Sequence, residues 1–376
     1  MMNKRILHLE FGRHFYGGAK QLEYLVTAEN SEHATEHHIA CPEGSDLARQ
    51  LKGAKCKVHP LSYDREIDAL VVQRLTTLID DITPDLIHIH SRHGADVWGA
   101  IASRLTGVPA IYTRRTDDNE SALSKLKYSQ FKAVVSVSEG VKKVVSKRCP
   151  DDVLQPVIYP AIDTGEFTFS LDRDWLNKTF SVPDDHKVIA NISQLTERKG
   201  QGDLILAMRN VLEASDKVTC LIFGEGPQKE NYQSMIDRYD LNDHVKLCGF
   251  SDNVPRILPN IDVLVHPAYS EGLGSILLQA GATKRMVIAC PCGGISEIIK
   301  HNETGIHVDV GSPDALGEQI IRALEKSERS EQFGQKLFEW VRDNFNVAEM
   351  AKAYDDLYTQ VIHDEQNNKE ETSSEA

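Results

Sequence analysis

VLVHPAYSEGLGSILLQAGA, residues 263–282, decides the fold. VLVHP is a short β-branched run, SEGLG a turn-forming stretch with one acid and two glycines, and SILLQAGA an apolar run of helical length. A strand that passes through a glycine loop into a helix is the first half of a βαβ unit and belongs to a parallel sheet. Ligands of such sheets bind just beyond the carboxyl ends of the strands, so Glu271, Gly272, Leu273 and Gly274 stand where a site is expected. A helix opening at about Ser275 directs the N–H groups of Ser275 and Ile276 toward an anion. Gln279, four residues further, lies one turn along the same face, in reach of a group bonded to that anion.

The same pattern recurs on both sides. Strand candidates in the first half are RILHLEF (5–11), HHIACP (37–42), LIHIH (86–90), AIYTR (110–114), AVVSVS (133–138) and VIYPA (157–161). A second series runs KVIANIS (187–193), VTCLIFG (218–224), VKLCGF (245–250), DVLVHP (262–267), MVIAC (286–290) and GIHV (305–308). Helical patterns such as 65–82 separate them, whereas 164–186 has no clear period. The expected architecture is α/β, with two Rossmann-like doubly wound domains facing across a cleft. An N-terminal domain covers 1–165, a connection 166–186 and a C-terminal domain 187–346. A helix near 347–361 closes the chain and is free to pack back onto the first domain. The polar stretch 363–376 reads as a disordered tail.

Composition agrees with this scale. A chain of 376 residues exceeds one ordinary core and suits two domains. Apolar content of 41% with 26% charged residues marks a soluble globular class. A net charge of −14 argues against a nucleic-acid partner. No apolar stretch reaches the roughly 18–20 residues of a membrane span, and MMNKRILHLE lacks the apolar core of a signal peptide, so a cytoplasmic location is expected. Seven scattered cysteines without a CxxC pair read as reduced thiols.

After the first strand, Gly17 and Gly18 sit at a helix entry, where glycine lets backbone approach a ligand. Arg13, His14, Lys20, Arg92, His93, Arg114 and Arg115 all map to the same sheet edge, a cationic cluster suited to phosphate or carboxylate. In LIHIH the alternation of strand faces is read as turning His88 into the core and leaving His90, at the strand terminus, as the site candidate. In the second half, Lys199 and Gly200 precede a helix; Lys199 places a point charge at a phosphate, with Arg198 as helper. Metal-binding motifs are absent, and alternating faces are read as splitting the histidines of HIHSRH, so neither metal nor other cofactor is expected. EGVKKVVSKR (139–148) is a basic stretch whose face suits either solvent or the anionic inner face of the cytoplasmic membrane.

Taken in order, these residues resemble the retaining glycosyltransferases of family 4, which have the GT-B fold. The resemblance rests on Gly17–Gly18, VSVSEGVKK (135–143), VIYPAIDTGEF (157–167), RKG (198–200), FGEGP (223–227), Gly249–Phe250, HPAYSEGLGSILLQA (266–280) and CGGISEII (292–299). It covers nearly all of the chain short of the tail. It implies metal-independent transfer of a sugar from a nucleotide-diphosphate-sugar donor to a glycan or lipid-linked acceptor, in the synthesis of lipopolysaccharide or another envelope polysaccharide. On this resemblance Glu271 meets hydroxyls of the donor sugar, while Lys199 and the loop N–H groups after Glu271 hold the diphosphate. Backbone near Phe250 meets the base, and Gly17 and Gly18 admit phosphate and sugar.

The chain departs from the family pattern at three places. The second glutamate of the family is Gln279, an arginine five residues before the lysine is Gln194, and a first-domain histidine is replaced by Arg114–Arg115. Arg115 is taken, with Glu271 and Lys199, as catalytic. Arg13, His90, Arg92, His93 and Arg114 are taken as an acceptor side that suits an anionic acceptor. The alternatives are a non-catalytic nucleotide-sugar-binding partner protein and a nucleotide-sugar hydrolase or epimerase on the same fold.

Overall fold

The computed structural model describes residues 4–28, 35–63, 68–92, 94–118, 124–167 and 171–374. The chain divides into two compact units, Met1–Ala161 with Val347–Ala376 and Ile162–Asn346. Each is built on a six-stranded parallel sheet. In the first, β1 (Lys4–Leu9), β2 (Thr35–Pro42), β3 (Lys57–Leu61), β4 (Leu86–Ile89), β5 (Ala110–Arg114) and β6 (Ala133–Ser136) lie in the order β3-β2-β1-β4-β5-β6. In the second, β7 (Lys187–Ile192), β8 (Val218–Phe223), β9 (Val245–Gly249), β10 (Val263–His266), β11 (Met286–Ala289) and β12 (Ile306–His307) lie in the order β12-β11-β10-β7-β8-β9. Both sheets reverse direction between their first and fourth strands, which creates the crevice where doubly wound folds bind ligands.

Strand periodicity sorts the first sheet's side chains onto two faces. Ile6, Leu86, Ile111, Ala133 and Val135 pack beneath the helix Gly17–Thr27 and the closing helix Val347–Ser374, through Tyr24, Leu25, Met350, Tyr354 and Tyr358. On the opposite face, Gly99 of the helix Ala95–Thr106 lies against Leu9 and Ile89 so closely that a Cβ would come within 2.7 Å of both side chains. Tyr112 of β5 stacks there on Phe131 and Tyr128. The second sheet buries Ile189, Cys220, Ile222, Val263, Val265 and Ile288 under the helices Gln201–Ala214 and Pro313–Glu325.

Four departures from the sequence reading have physical causes. KVHPL (57–61) is a strand, β3, that the pattern did not suggest; Pro60 lacks a ladder donor, and β3 accordingly lies at the sheet edge. VIYPA (157–161) runs parallel to β6 but pairs with it through isolated bridges only. The stretch 166–186 is no bare connection: the helix Arg173–Phe180 begins at Asp172, whose side chain accepts from the Trp175 N–H, and Arg256 bonds Asp172 at 2.5 Å. These contacts tie it to the second unit. The polar stretch 363–376, expected to be disordered, continues the closing helix as far as Ser374. Its Glu, Gln and Lys residues are good helix formers, so low apolar content does not end the helix, and Glu365 still pairs with Lys132.

Candidate active site

The second unit assembles its candidates where β7 and β10 end, at the reversal of strand order. Glycine geometry brings the two loops together. Gly200 has φ +69°, and a Cβ on it would lie 1.9 Å from the Pro267 carbonyl oxygen, so only glycine lets the RKG turn touch the HP step. The loops then bond directly: the Tyr269 N–H donates to the Arg198 carbonyl at 2.8 Å, and the Arg198 guanidinium donates to the Ser270 carbonyl at 3.2 Å. Lys199, the last residue of a short 3-10 turn, is thereby buried against Glu271 and ion-paired with its carboxylate. Gly274 at φ +89° opens the helix Ser275–Ala282 behind them.

A third group completes the cluster. His266, the last residue of β10, places Nε2 3.0 Å from the same Glu271 Oε2 that receives Lys199. Burial pushes the Glu271 carboxyl up, but the His266 hydrogen bond and the Lys199 charge outweigh it and hold the group well below the usual carboxylate range. Burial also lowers the His266 imidazole, against the pull of Glu271. A neutral ring donating through Nε2 leaves Nδ1 as an acceptor, and Nδ1 is buried without a partner among the described residues. The result is a partly accessible carboxylate, held ionised at neutral pH, beside an ammonium and a helix N-terminus. Such a group accepts hydrogen bonds from hydroxyls next to a bound anion.

Gly17 and Gly18 lie in the first unit, and the remaining donor-side candidates lie in the second. Gln279 is half-buried on the helix Ser275–Ala282, and no side-chain partner is recorded for it among the described residues. Gln194 is exposed after β7, and its carbonyl receives the Gln201 amide. Phe250 is exposed just beyond β9. His266 is the residue the sequence reading missed. Its signal was its place as the last strand residue, five positions before Glu271.

The first unit revises several expectations. His88 and His90 share a face, because residues two apart on a strand point the same way; their ring centroids are 3.7 Å apart and both are buried. His8 stands in register with His88 on β1 and joins them. His8 Nδ1 meets His90 Nε2 at 2.9 Å and its Nε2 meets His37 Nδ1 at 2.9 Å. His88 bonds the Tyr358 and Thr113 hydroxyls, each at 2.7 Å. His8, His88 and His90 are close enough to share a metal, but a metal would have to displace these bonds. Burial keeps all three imidazoles well below their usual value, which suits neutral hydrogen-bonding rings.

The cationic edge is also less free than its sequence suggests. Arg114 is fully buried and donates to the Asp118 carbonyl, Arg92 pairs with Asp118, Lys20 with Glu23, and Arg13 donates to the Tyr63 carbonyl. Arg115 remains turned toward the helix entry. It bonds the His90 carbonyl at 3.1 Å, and its side chain lies 3.6 Å from where a Gly18 Cβ would stand. Gly17 and Gly18 open the helix Gly17–Thr27. His93 lies outside the described residues.

Two parallel sheets wound in the same order, with candidate groups beyond the strand ends, are the architecture of the GT-B glycosyltransferases. The family models agree. Glycosyltransferase Family 4 matches residues 16–166, and Glycosyl transferases group 1 matches 172–340. The chain belongs to the family-4 type of GT-B glycosyltransferases. It is 22% identical over 336 residues to an N-acetyl-alpha-D-glucosaminyl L-malate synthase of Bacillus anthracis, covering 83% of this chain and 88% of that one. It is 30% identical over 192 residues to a GDP-mannose-dependent alpha-(1-6)-phosphatidylinositol monomannoside mannosyltransferase of Mycobacterium tuberculosis, covering 48% and 50%. The crystal structure of Anabaena HepE in complex with UDP-glucose superposes with a TM-score of 0.83 at 20% identity, covering 95% and 99%.

Proposed function

We propose that the chain moves a sugar, with retention of anomeric configuration, from a nucleotide-diphosphate-sugar to a glycan or lipid-linked acceptor. The observation that carries this reading is the Glu271 carboxylate, kept ionised by Lys199 and His266 at the opening of the helix Ser275–Ala282. In the proposed reaction Glu271 accepts hydrogen bonds from donor-sugar hydroxyls. Lys199 and the N–H groups from Gly272 to Ile276 stabilise the charge that grows on the leaving diphosphate, where such preorganised groups contribute most to rate. The leaving phosphate assists the acceptor hydroxyl, so no protein nucleophile is required and the positive charge comes from the chain instead of a metal. Gln279 offers its amide to the ribose, and the backbone near Phe250 to the base. In the first unit, Arg115 beside Gly18 adds positive charge.

The similarity to a structure with bound UDP-glucose supports a nucleotide-sugar donor, and UDP is the first nucleotide to test. The proposed acceptor is a glycan or lipid-linked molecule of lipopolysaccharide or another envelope polysaccharide; of this, the names of the two relatives support an anionic or lipid-linked acceptor. One is named for a malate product and the other for a phosphatidylinositol mannoside acceptor. Among the described residues, no helix is long and apolar enough to cross a membrane. A peripheral contact at the inner face of the cytoplasmic membrane would bring the enzyme to such an acceptor.

Titration calorimetry and thermal shift against UDP, GDP, ADP and their sugars test the donor reading, because ligands that bind only the native state raise its stability. The expected result is a shift with one nucleotide family. Glu271→Gln should lower kcat/KM by about a hundredfold or more, as when one preorganised charge is lost. It should also lower Tm, because Lys199 is left buried without its counter-charge at a cost of about 3–5 kcal/mol. Binding of no nucleotide diphosphate by the wild-type chain contradicts the proposal. Binding without transfer to any acceptor favours a non-catalytic nucleotide-sugar binder.

A further inference from the structure

The outer side of the first unit carries an apolar ridge. On the helix Ala95–Thr106, Val97, Ile101 and Leu105 follow one another at four-residue spacing and are 46%, 39% and 67% exposed. Leu126, on the short helix Ser124–Tyr128, is 67% exposed. The inner side of the first helix is accounted for by Gly99, Ala100 and Ala102, seated on the sheet, so the ridge is not needed for packing. Helices of soluble proteins usually give that outer stripe to polar residues.

Handedness places a basic patch beside it. From β4 the chain passes through Ala95–Thr106 to β5, through Ser124–Tyr128 to β6, and through Glu139–Val145 to residues 154–157, which bridge β6 in parallel. Each step moves the same way across the sheet, and parallel crossovers are right-handed, so all three helices lie on one face. It is the face opposite the closing helix. These helices and their closing turns (95–107, 124–132 and 139–149) hold eight Lys or Arg against two acids, Asp96 and Glu139, in a chain of net charge −14; Lys127 pairs with Asp96 and Lys132 with Glu365 of the closing helix, which leaves six for the patch. Among the described residues, Arg104, Lys125, Lys142, Lys143, Lys147 and Arg148 have no side-chain partner. The helix Leu70–Ile82, packed along Ala95–Thr106, ends in Asp80 and Asp81 and bounds the patch on that side.

We propose that this face docks on an anionic lipid bilayer, with Val97, Ile101, Leu105 and Leu126 entering the interface and the six cations meeting headgroup phosphates. An apolar ridge beside unpaired cations is the pattern of interfacial attachment: apolar area and electrostatic attraction to anionic lipid add. A second copy of this chain or a protein partner would also cover apolar side chains, but six like charges in one patch oppose self-pairing and favour an anionic surface. The inference extends the membrane-side reading of the acceptor and assigns a surface to it.

The test uses the full chain with phosphatidylcholine vesicles containing about a quarter phosphatidylglycerol, and with phosphatidylcholine alone, at about 50 and 500 mM salt. The expected result is co-sedimentation with the anionic vesicles at low salt, most of it lost at high salt or on phosphatidylcholine alone. The double variant Ile101→Asp/Leu105→Asp and the triple variant Lys142→Ala/Lys143→Ala/Lys147→Ala should each lower the vesicle-bound fraction by about tenfold. Ile101, Leu105, Lys143 and Lys147 are exposed, Lys142 is half-buried, and all lie outside the donor site, so the thermal shift given by UDP should persist in both. No binding of the wild-type chain to anionic vesicles at low salt overturns the proposal. So does unchanged binding by the two variants, or a vesicle-free dimer that Leu105→Asp dissociates. A missing UDP shift in the wild-type chain counts against the donor reading and leaves the vesicle result standing.

Discussion

At the scale of single residues, the site turns on one carboxylate oxygen with two donors. Lys199 and Glu271 were legible because each follows a strand within a glycine-marked turn. His266 was not, since a histidine ending an apolar strand looks like any core histidine until its neighbour across the loop is known. His88 and His90 show the opposite case: the periodicity was in the sequence, and two-residue spacing puts both on one face. The His266–Glu271 bond has a measurable consequence. The bond lowers the Glu271 pKa, so His266→Asn should raise it toward the ordinary carboxylate range. Activity that needs the ionised carboxylate would then fall off at a higher pH on the acid side, while the rate near pH 8 changes less. A pH–rate profile checks this; an acid limb that stays in place means that His266 only packs.

At the scale of elements, two loops decide whether the site exists. The RKG turn reaches the HP step only because Gly200 carries no Cβ and holds a left-handed backbone. Gly200→Ala should cost more than 2 kcal/mol or so, because it adds a backbone clash to the usual penalty for positive φ. It should also move Lys199 off Glu271. Denaturant unfolding together with nucleotide thermal shift checks both, and a stable variant with unchanged binding contradicts the account. The strand series of both sheets was readable because buried parallel strands are continuous β-branched runs. The exceptions have local reasons. Pro60 disguised β3, the Arg173–Phe180 helix is short and polar outside its Leu176 side, and the Glu-rich end of the closing helix holds its shape without contacts that composition would register.

At the scale of the molecule, the two units should answer acid differently. In the first unit His8 is hydrogen-bonded to His37 and His90, and the His88 ring packs against His8 and His90. Burial is the leading cause of their lowered pKa values, His37 to about 4, with neighbouring imidazoles and Arg115 adding to it and Asp355 opposing it at His37. Unfolded, each takes up a proton near pH 6.5; folded, only at lower pH. The unfolded chain thus binds more protons in that window, and stability is complete above about pH 6.5 and falls toward pH 4, by up to about 1.4 kcal/mol per pH unit for each histidine. Denaturant midpoints at about pH 7.5 and 5 should show the first unit's transition moving down and the second's moving less. A first-unit transition that ignores pH in this range contradicts the account.

The return of the closing helix to the first sheet bears on how the protein is made. The chain leaves the first unit at Ala161 and re-enters it at Val347, so the second unit is continuous and the first is not. As the chain emerges from the ribosome, the second unit has all its parts once Asn346 is out. The first unit, although its strands come earlier, still exposes Ile6, Ile111 and Val135 until Met350, Tyr354 and Tyr358 arrive to cover them. The usual order of synthesis, in which the amino-terminal domain is finished first, is reversed, and a chain stalled just short of residue 347 would present a complete second unit attached to an uncovered sheet.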